Sequence, residues 1–349
     1  MQVPLRKKVL KVRVKDKHAK LLGAMATETN QVWNFCDELS DRMIRERGRW
    51  MSGFDFSPYT VGASKEFEHI GSSTIQQVSE QFACRRRTAR RTRLRWRKSF
   101  GERRSLGWVP FKARALKWKG GQAVFAGRRF GVWDSYGLAG ADFRAGCFSE
   151  DARGRWFLCV CVLVTPTVSM GQGVVGVDPG LKVTAKCSDG QVLEGRTYRR
   201  HEKALAAARR ARRKRRARAI HATIRNQRQD ALHKFSTGLV RQYGEIRIGD
   251  ASSAKLVKTK MAKSVLDASW ASLKTMLEYK SRQAGIVYTE VNEAYTTRRC
   301  SECGSLSGPQ GLGGLSVRVW QCVECGARHD RDVNAARNIC RLGAGHRAP

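Results

Sequence analysis

Residues 286–304 read IVYTEVNEAYTTRRCSECG. After a Gly-rich gap, residues 319–340 read VWQCVECGARHDRDVNAARNIC. An apolar strand pattern ends at Glu293 and leads into Cys300-x-x-Cys303. A second pair, Cys322-x-x-Cys325, follows after eighteen intervening residues, and each pair is followed by a glycine, Gly304 and Gly326. Two such pairs are the spacing of a tetrahedral thiolate site for zinc. The competing reading is a redox dithiol or a set of buried thiols. Four protein ligands leave no open position for a reactive water, so such an ion is structural. Asp330-Arg331-Asp332-Val333-Asn334 then opens a helix, where Asp330 or Asp332 could serve simply as a cap. A metal knuckle therefore sits between two carboxylate-bearing elements. A third carboxylate, Asp178, ends the fully apolar strand Val174–Val177 far upstream. Hard cations shared by the three acids would account for all of them at once.

Composition narrows the partners. The chain has 349 residues, enough for two or three domains, and 41% hydrophobic content supports buried cores. Lys and Arg number 67 against 30 Asp and Glu, a formal charge of +37. Like charge at this density opposes compaction unless a polyanion neutralises it, which favours nucleic acid. An anionic membrane is the rival, but the sequence has no run of about 18 apolar residues and no signal peptide. Beyond the paired thiols, Cys36, Cys84, Cys147, Cys159, Cys161, Cys187 and Cys340 are scattered singly. They read as small buried hydrophobes in a reducing compartment.

From the start of the chain, residues 5–14 alternate as a strand, and residues 16–105 turn helical. Leu21, Leu22, Met25, Val32, Trp33, Phe35 and Leu39 share one face. A second helix is expected from Ser72 onward, running through Arg85, Arg86, Arg87, Arg90 and Arg91 toward Arg97, with Trp96 interleaved. That basic density predicts a phosphate-tracking surface. Residues 106–167 show short Gly-broken strands, as in an antiparallel barrel or sandwich that the first strand joins, so the helical block is an insertion. Pro166, Gly171 and Gly173 mark a boundary. A hairpin is expected around Ser188-Asp189-Gly190. Residues 201–240 predict one or two long helices, with Arg209, Arg212, Arg213, Arg215 and Arg216 spread over several faces. Strand 245–249 and an amphipathic helix over 261–285, with Val265, Leu266, Trp270, Leu273 and Leu277 on its apolar side, complete an alternating α/β pattern.

GVVGVDPG, the long basic helix ending DALHKFS, IRIGD, EAYTTRRCSECG and HDRDVNAARN together resemble TnpB, the transposon-encoded RNA-guided nuclease related to type V CRISPR effectors. VWNFCDEL and WVPFK extend the resemblance upstream, over most of the chain. It implies a RuvC/RNase H-like α/β nuclease core over 171–293 and 329–345 with an inserted zinc knuckle over 294–328. It also implies a wedge-type β-barrel over 1–15 and 106–170 and a helical recognition lobe over 16–105. By the resemblance, Asp178 is the first catalytic acid and Asp332 the last.

The family's second acid is normally a Glu in an Ile-x-Ile-Glu-Asp strand, and here that position is Gly249. Either the site is inactive or another carboxylate has taken the place. Asp250 points to the opposite face of the strand from residue 249, Glu245 lies roughly 13 Å back along it, and Glu290 faces away from Glu293. Glu293, just before Tyr295-Thr296-Thr297, is the favoured replacement. The resemblance implies an RNA-guided DNA endonuclease of the prokaryotic cytoplasm, associated with the nucleoid. Two Mg²⁺ would be held by Asp178, Glu293 and Asp332, and one zinc by the four cysteines. A guide RNA and a DNA duplex carrying a short flanking motif would be the partners. The alternatives are RNA-guided DNA binding without cleavage, and a guide-independent transposase or RNA-binding protein.

Overall fold

The computed structural model describes residues 5–165, 169, 171–251, 266, 268–314 and 316–342. Contacts divide the chain into two units, Met1–Thr165 and Pro166–Pro349. Residues 1–4, Pro166, Met261 with Val265, and 343–345 belong to the expected elements but lie outside the described residues.

In the first unit, strand β1 (Arg6–Val14) precedes two long helices, α1 (Ala19–Arg47) and α2 (Ser72–Ala89). Strands β2 (Trp108–Phe111), β3 (Leu116–Lys119), β4 (Gln122–Phe125), β5 (Arg128–Phe130), β6 (Val132–Trp133), β7 (Phe143–Glu150) and β8 (Trp156–Val164) follow. β1 pairs along most of its length with β8, so the helices are an insertion between β1 and β2. The sheets run β2-β7-β8-β1-β6 and β3-β4-β5. Phe111, Phe125, Phe130 and Phe148 join them, with ring centroids 4.9–5.9 Å apart. Among the described residues no pairing joins β6 to β2, so the hydrogen bonds form two packed sheets and close no ring.

The Arg-rich helix is shorter than the composition suggested. It stops at Ala89, and Arg90 turns left-handed, with φ of 50°. Residues 94–99 then lie across α1 as an extended strap. Asp37 accepts from the Leu94 N–H at 2.7 Å, Asn34 brackets Arg97 through both its side-chain atoms, and Asn30 accepts from Arg97 Nε at 2.6 Å. These α1 residues are spaced at helical intervals, so they form one polar seam.

In the second unit, β9 (Val174–Pro179), β10 (Ala185–Cys187) and β11 (Val192–Leu193) form antiparallel pairs. The turn between β10 and β11 is closed by Gly190, with φ of 90°. The Ala- and Arg-rich block makes α3 (Thr197–Arg210) and α4 (Lys214–Gln242), broken where Arg212 takes φ of 49°. β12 (Glu245–Gly249), α5 (Trp270–Ala284) and β13 (Val287–Val291) follow. Then come the hairpin β14 (Val319–Gln321) and β15 (Arg328–Asp330), and last α6 (Arg331–Leu342). The main sheet runs β11-β10-β9-β12-β13, with β12 parallel to both β9 and β13. On one face its central strands are apolar and covered by helices: Val175, Val177, Ile246 and Ile248 are fully buried there, while the other face carries Gly176, Arg247 and Gly249. Leu232, Leu239, Leu273 and Leu277 pack on them, whereas Leu266, expected on the apolar side, is exposed.

Two expectations about side chains are corrected. Of the seven scattered cysteines only Cys36 and Cys187 are buried; Cys84 is exposed and Cys147, Cys159, Cys161 and Cys340 are half-buried. Those on β7 and β8 occupy outward positions of alternating strands. Arg86, expected to track phosphate, is 2% exposed. It donates to the Met51 carbonyl at 2.6 Å and lies 5.0 Å from the Trp50 ring centre. It faces inward because Phe82 and Arg86 share one face of α2, four residues apart.

Candidate functional site

Asp178 lies at the C-terminal end of β9, where α6 packs against the sheet. The approach is close because Gly176 has no side chain: a Cβ there would lie 2.0 Å from the Ala336 carbonyl oxygen. Ala335 and Ala336 are fully buried on the facing side. The first turn of α6 is thereby drawn to the end of β9. Asp330 caps this helix, its Oδ1 accepting from the Asp332 and Val333 N–H groups at 3.1 and 3.0 Å, and it pairs with Lys186 at 2.9 Å. Asp332 is thus spared the capping role, and its carboxylate lines a cavity of about 760 Å³ together with Asp178 and Glu293.

Glu293 arrives from β13, which lies beyond β12 in the sheet. A Cβ on Gly249 would meet Glu293 Oε2 at 2.7 Å, Pro179 Cδ at 3.2 Å and Ile339 Cδ1 at 3.3 Å. The carboxylate of Glu293 therefore fills the space into which a side chain at 249 would project. A turn fixes its backbone: Thr296 Oγ1 donates to the Glu293 carbonyl at 2.8 Å, and Asp250 Oδ1 accepts from the Glu293 N–H at 3.2 Å. Glu290 points elsewhere, held by Lys274 at 2.9 Å and by the Tyr288 hydroxyl.

Electrostatics couple these groups. Burial, then the negative charges of Asp332 and Glu293, push the Asp178 carboxyl well above the usual carboxylate range. Burial and the neighbouring Asp250 raise Glu293. Lys182, Arg196, Arg199, Arg318 and Arg331 share the cavity wall, and Arg318 pairs with Asp332 at 3.3 Å. With Asp332 drawn toward Arg318, the three carboxylates share the cavity. Among the described residues they do not converge within 4.8 Å of one another, as the four thiols do. Clustered acids at a strand end, one held against its own charge preference, suit a divalent cation.

The thiol cluster is built from two similar turns. In the first, the Gly304 N–H donates to the Cys300 carbonyl at 3.0 Å; in the second, Gly326 donates to Cys322 at 2.9 Å. Both glycines are left-handed, with φ of 83° and 72°, which is why each pair ends in glycine. Cys300 and Cys325 lie 3.7 Å apart and Cys303 and Cys322 lie 3.6 Å apart. Those are close to the edges of a tetrahedron with sulfur about 2.3 Å from its centre. The cluster can hold a metal ion. The Ser305 and Ser307 hydroxyls, 3.3 and 3.1 Å from Cys322, hold its thiol down to about 5. His329 Nε2 is 3.0 Å from Cys300 Sγ, and its ring lies 4.7 Å from that of Trp320. That separation is shorter than the roughly 3.5 Å expected between nitrogen and sulfur ligands of one tetrahedral ion. His329 is placed to hydrogen-bond the Cys300 sulfur.

Asn334 and Asn338, one turn apart on α6, tie the two sites together, and the sequence reading missed them. Asn338 Nδ2 bonds the Thr296 and Arg299 carbonyls at 2.8 and 2.6 Å, while Asn334 accepts from the Ser301 N–H at 2.8 Å. Buried asparagines four residues apart beside alanines were the available signal.

Of the remaining expected site residues, Arg85, Arg87, Arg90 and Arg91 are exposed on the end of α2 and beyond it. Arg209, Arg212, Arg213, Arg215 and Arg216 are exposed around the α3–α4 break. Arg86 alone is withdrawn from this set by its burial.

Comparisons with known proteins bear on the family and the fold. Residues 157–260 match the family model described as "Probable transposase" (OrfB_IS605), and residues 270–339 match the Cas12f1-like TNB domain. The chain is 31% identical over 261 residues to a "Putative RNA-guided DNA endonuclease" of Streptomyces pristinaespiralis, covering 69% of this chain and 64% of that protein. InsQ of Escherichia coli (strain K12), with the same description, is 29% identical, covering 55% of this chain and 54% of that protein. The chain thus spans between about half and two thirds of these relatives. A cryo-EM structure of a Cas12f1–sgRNA–target DNA complex superposes its Cas12f1 chain with a TM-score of 0.60 at 11% identity, covering 97% of this chain and 99% of that one. That likeness is one of fold. Among the described residues no helix is long and apolar enough to cross a membrane.

Proposed function

The chain belongs to the TnpB family, and from that premise we propose that it is an RNA-guided DNA endonuclease with a RuvC-type core and a relocated catalytic glutamate. The observation that carries the site is the fit of Glu293 into the space left by Gly249, in one cavity with Asp178 and Asp332. In this reading Asp178, Glu293 and Asp332 hold Mg²⁺, two ions by analogy with two-metal nucleases. Bound there, the ions supply an activated water and stabilise the leaving oxygen of an in-line displacement. The protein's own groups bind and orient. Arg196, Arg199, Lys182 and Arg331 offer donors to phosphate oxygens along the cavity wall, and the Asp250 acceptor together with Thr296 fixes where the Glu293 carboxylate stands.

Zinc suits the thiol cluster, since its sulfur spacing matches a closed tetrahedral site. Its role is to hold the turn at Thr296–Ser301 against α6, and so to keep Glu293 and Asp332 in place. A guide RNA would lie against the exposed arginines, pairing with one DNA strand, while the protein reads a short flanking duplex motif. Basic side chains position phosphates and leave sequence choice to base pairing. A DNA substrate implies a nucleoid-associated place in the cytoplasm. The two packed sheets of the first unit, with their helical insertion, would serve as the wedge and recognition lobe.

The test is to purify the protein with its co-expressed RNA and offer it a plasmid carrying the matching target. Mg²⁺-dependent cleavage, lost with a chelator, supports the proposal. Guided binding that leaves both strands intact in Mg²⁺ would instead make this a binding protein without cleavage. Absence of a discrete bound RNA would favour a guide-independent protein.

A further inference from the structure

We propose that Cys147 and Cys159 form a redox-active dithiol that hydroperoxides close to a cross-strand disulfide and thiols reopen. Three observations carry it. Cys147 on β7 and Cys159 on β8 are direct partners in the antiparallel register. Directly opposed residues have Cβ atoms about 4.5–5.5 Å apart and Cα atoms within the roughly 4.4–6.8 Å a disulfide spans, so closure asks only a small approach of the two strands. Both thiols are half-buried, on the outward side of strands whose alternate residues Phe148, Leu158 and Val160 fill the core, so a small peroxide can reach them.

The surroundings assign unequal roles. Lys11 on β1 is the register partner of Cys159 on its other side, and Ser149 Oγ lies 3.5 Å from Cys159 Sγ. Cys159 is therefore the nucleophile and Cys147 the resolving thiol. Cys161 is two residues further along the same face, but β1 places Val9 opposite it.

The step balances in two stages. Cys159 thiolate attacks a peroxide oxygen, forming S–O and breaking O–O, and the leaving oxygen departs as water or alcohol after taking a proton. Cys147 sulfur then attacks the sulfenic sulfur, forming S–S and breaking S–O, and the hydroxide leaves as water with the Cys147 proton. Two thiols are oxidised by two electrons and one hydroperoxide is reduced. Closure ties β7 to β8 and removes a negative charge from a face bearing Lys7, Lys11 and Arg13.

The test uses the zinc-loaded, RNA-bound full chain with substoichiometric hydrogen peroxide near neutral pH, followed by alkylation and peptide mass mapping. The expected product is one linked peptide pair joining Cys147 to Cys159, two hydrogens lighter and reversed by dithiothreitol. It should form on the order of ten times faster than the exposed Cys84 oxidises, because Ser149 and Lys11 stand beside the Cys159 sulfur and a resolving thiol lies directly opposite it. Cys147→Ser should replace the disulfide with a dimedone-reactive Cys159, and Cys161→Ser should leave closure unchanged. Oxidation of Cys84 first, a Cys159–Cys161 pairing, or Cys147 and Cys159 both remaining alkylatable would overturn the proposal. The wild-type competition decides it even where a variant folds poorly.

Discussion

The thiol cluster and the carboxylate cavity lie on either side of one short turn, yet they are assembled in opposite ways. Each half of the thiol cluster is a local turn of five residues, Cys-x-x-Cys-Gly, whose backbone hydrogen bond and left-handed glycine place both sulfurs within the turn itself. The carboxylates come from β9, the end of β13 and the start of α6. They reach one cavity only because Gly176 lets α6 against the sheet and Gly249 leaves room for Glu293. A site made of local turns is specified by its ligands. A site made by topology is specified as much by the residues that have no side chain.

The sharpest way to break the first half of this contrast is to remove a ligand. Cys322→Ser should take zinc from about one ion per chain to near zero, since a closed structural site binds through all four ligands. It should also abolish cleavage, because Asn334 and Asn338 hold α6 to a turn that the bound metal would stabilise. Metal analysis and plasmid cleavage read both, and retained zinc would show that the thiols are not its ligands.

The second half is broken without touching an acid. Gly249→Ala places a Cβ 2.7 Å from Glu293 Oε2 and should displace the carboxylate by roughly an ångström, costing on the order of 10²-fold in cleavage rate. Single-turnover cleavage with guided DNA binding measured alongside separates this from misfolding. Asp250→Asn keeps the acceptor for the Glu293 N–H and should cut at close to the wild-type rate.

The two basic segments offer a gentler comparison. Replacing Arg209, Arg212, Arg213, Arg215 and Arg216 with Gln should weaken RNA binding and reduce its log–log salt slope by about 0.7–0.9 for each phosphate that is no longer neutralised. Arg86→Gln should leave that slope unchanged. It should lower stability by about 1–3 kcal/mol, as the Met51 carbonyl is left without its donor in the interior. Salt titration and thermal unfolding distinguish the two behaviours.

How much of this is legible in the sequence follows the same division. The cysteine pairs, the apolar strand ending at Asp178 and the two-helix basic block can be read because each is encoded within a few residues of itself. The arrest of α2 at Ala89 cannot be read from arginine density, because it depends on Asn30, Asn34 and Asp37 of a different helix binding the strap that follows. Arg86 misleads for a related reason: charge says nothing about which helical face a residue occupies until the neighbours are known. The outward cysteines of β7 and β8 look like core because their strands are rich in apolar residues, although the alternation of Leu158, Val160 and Val162 already implies that Cys159 and Cys161 face the other side. The departure at Gly249 is visible in the sequence. The structure adds the complementarity of the missing side chain and Glu293 Oε2.

The central claim is that Glu293 does the work of the family's usual second acid. Glu293→Gln keeps the shape and removes the charge, so the RNA-loaded variant should bind its DNA target as the wild type does. In Mg²⁺ it should cleave more than about 100-fold more slowly, beyond the range typical of losses outside the metal's own ligands. Glu290→Gln, altered in the pair with Lys274, should cleave normally. Cleavage by Glu293→Gln at the wild-type rate, with guided binding intact, would contradict the account.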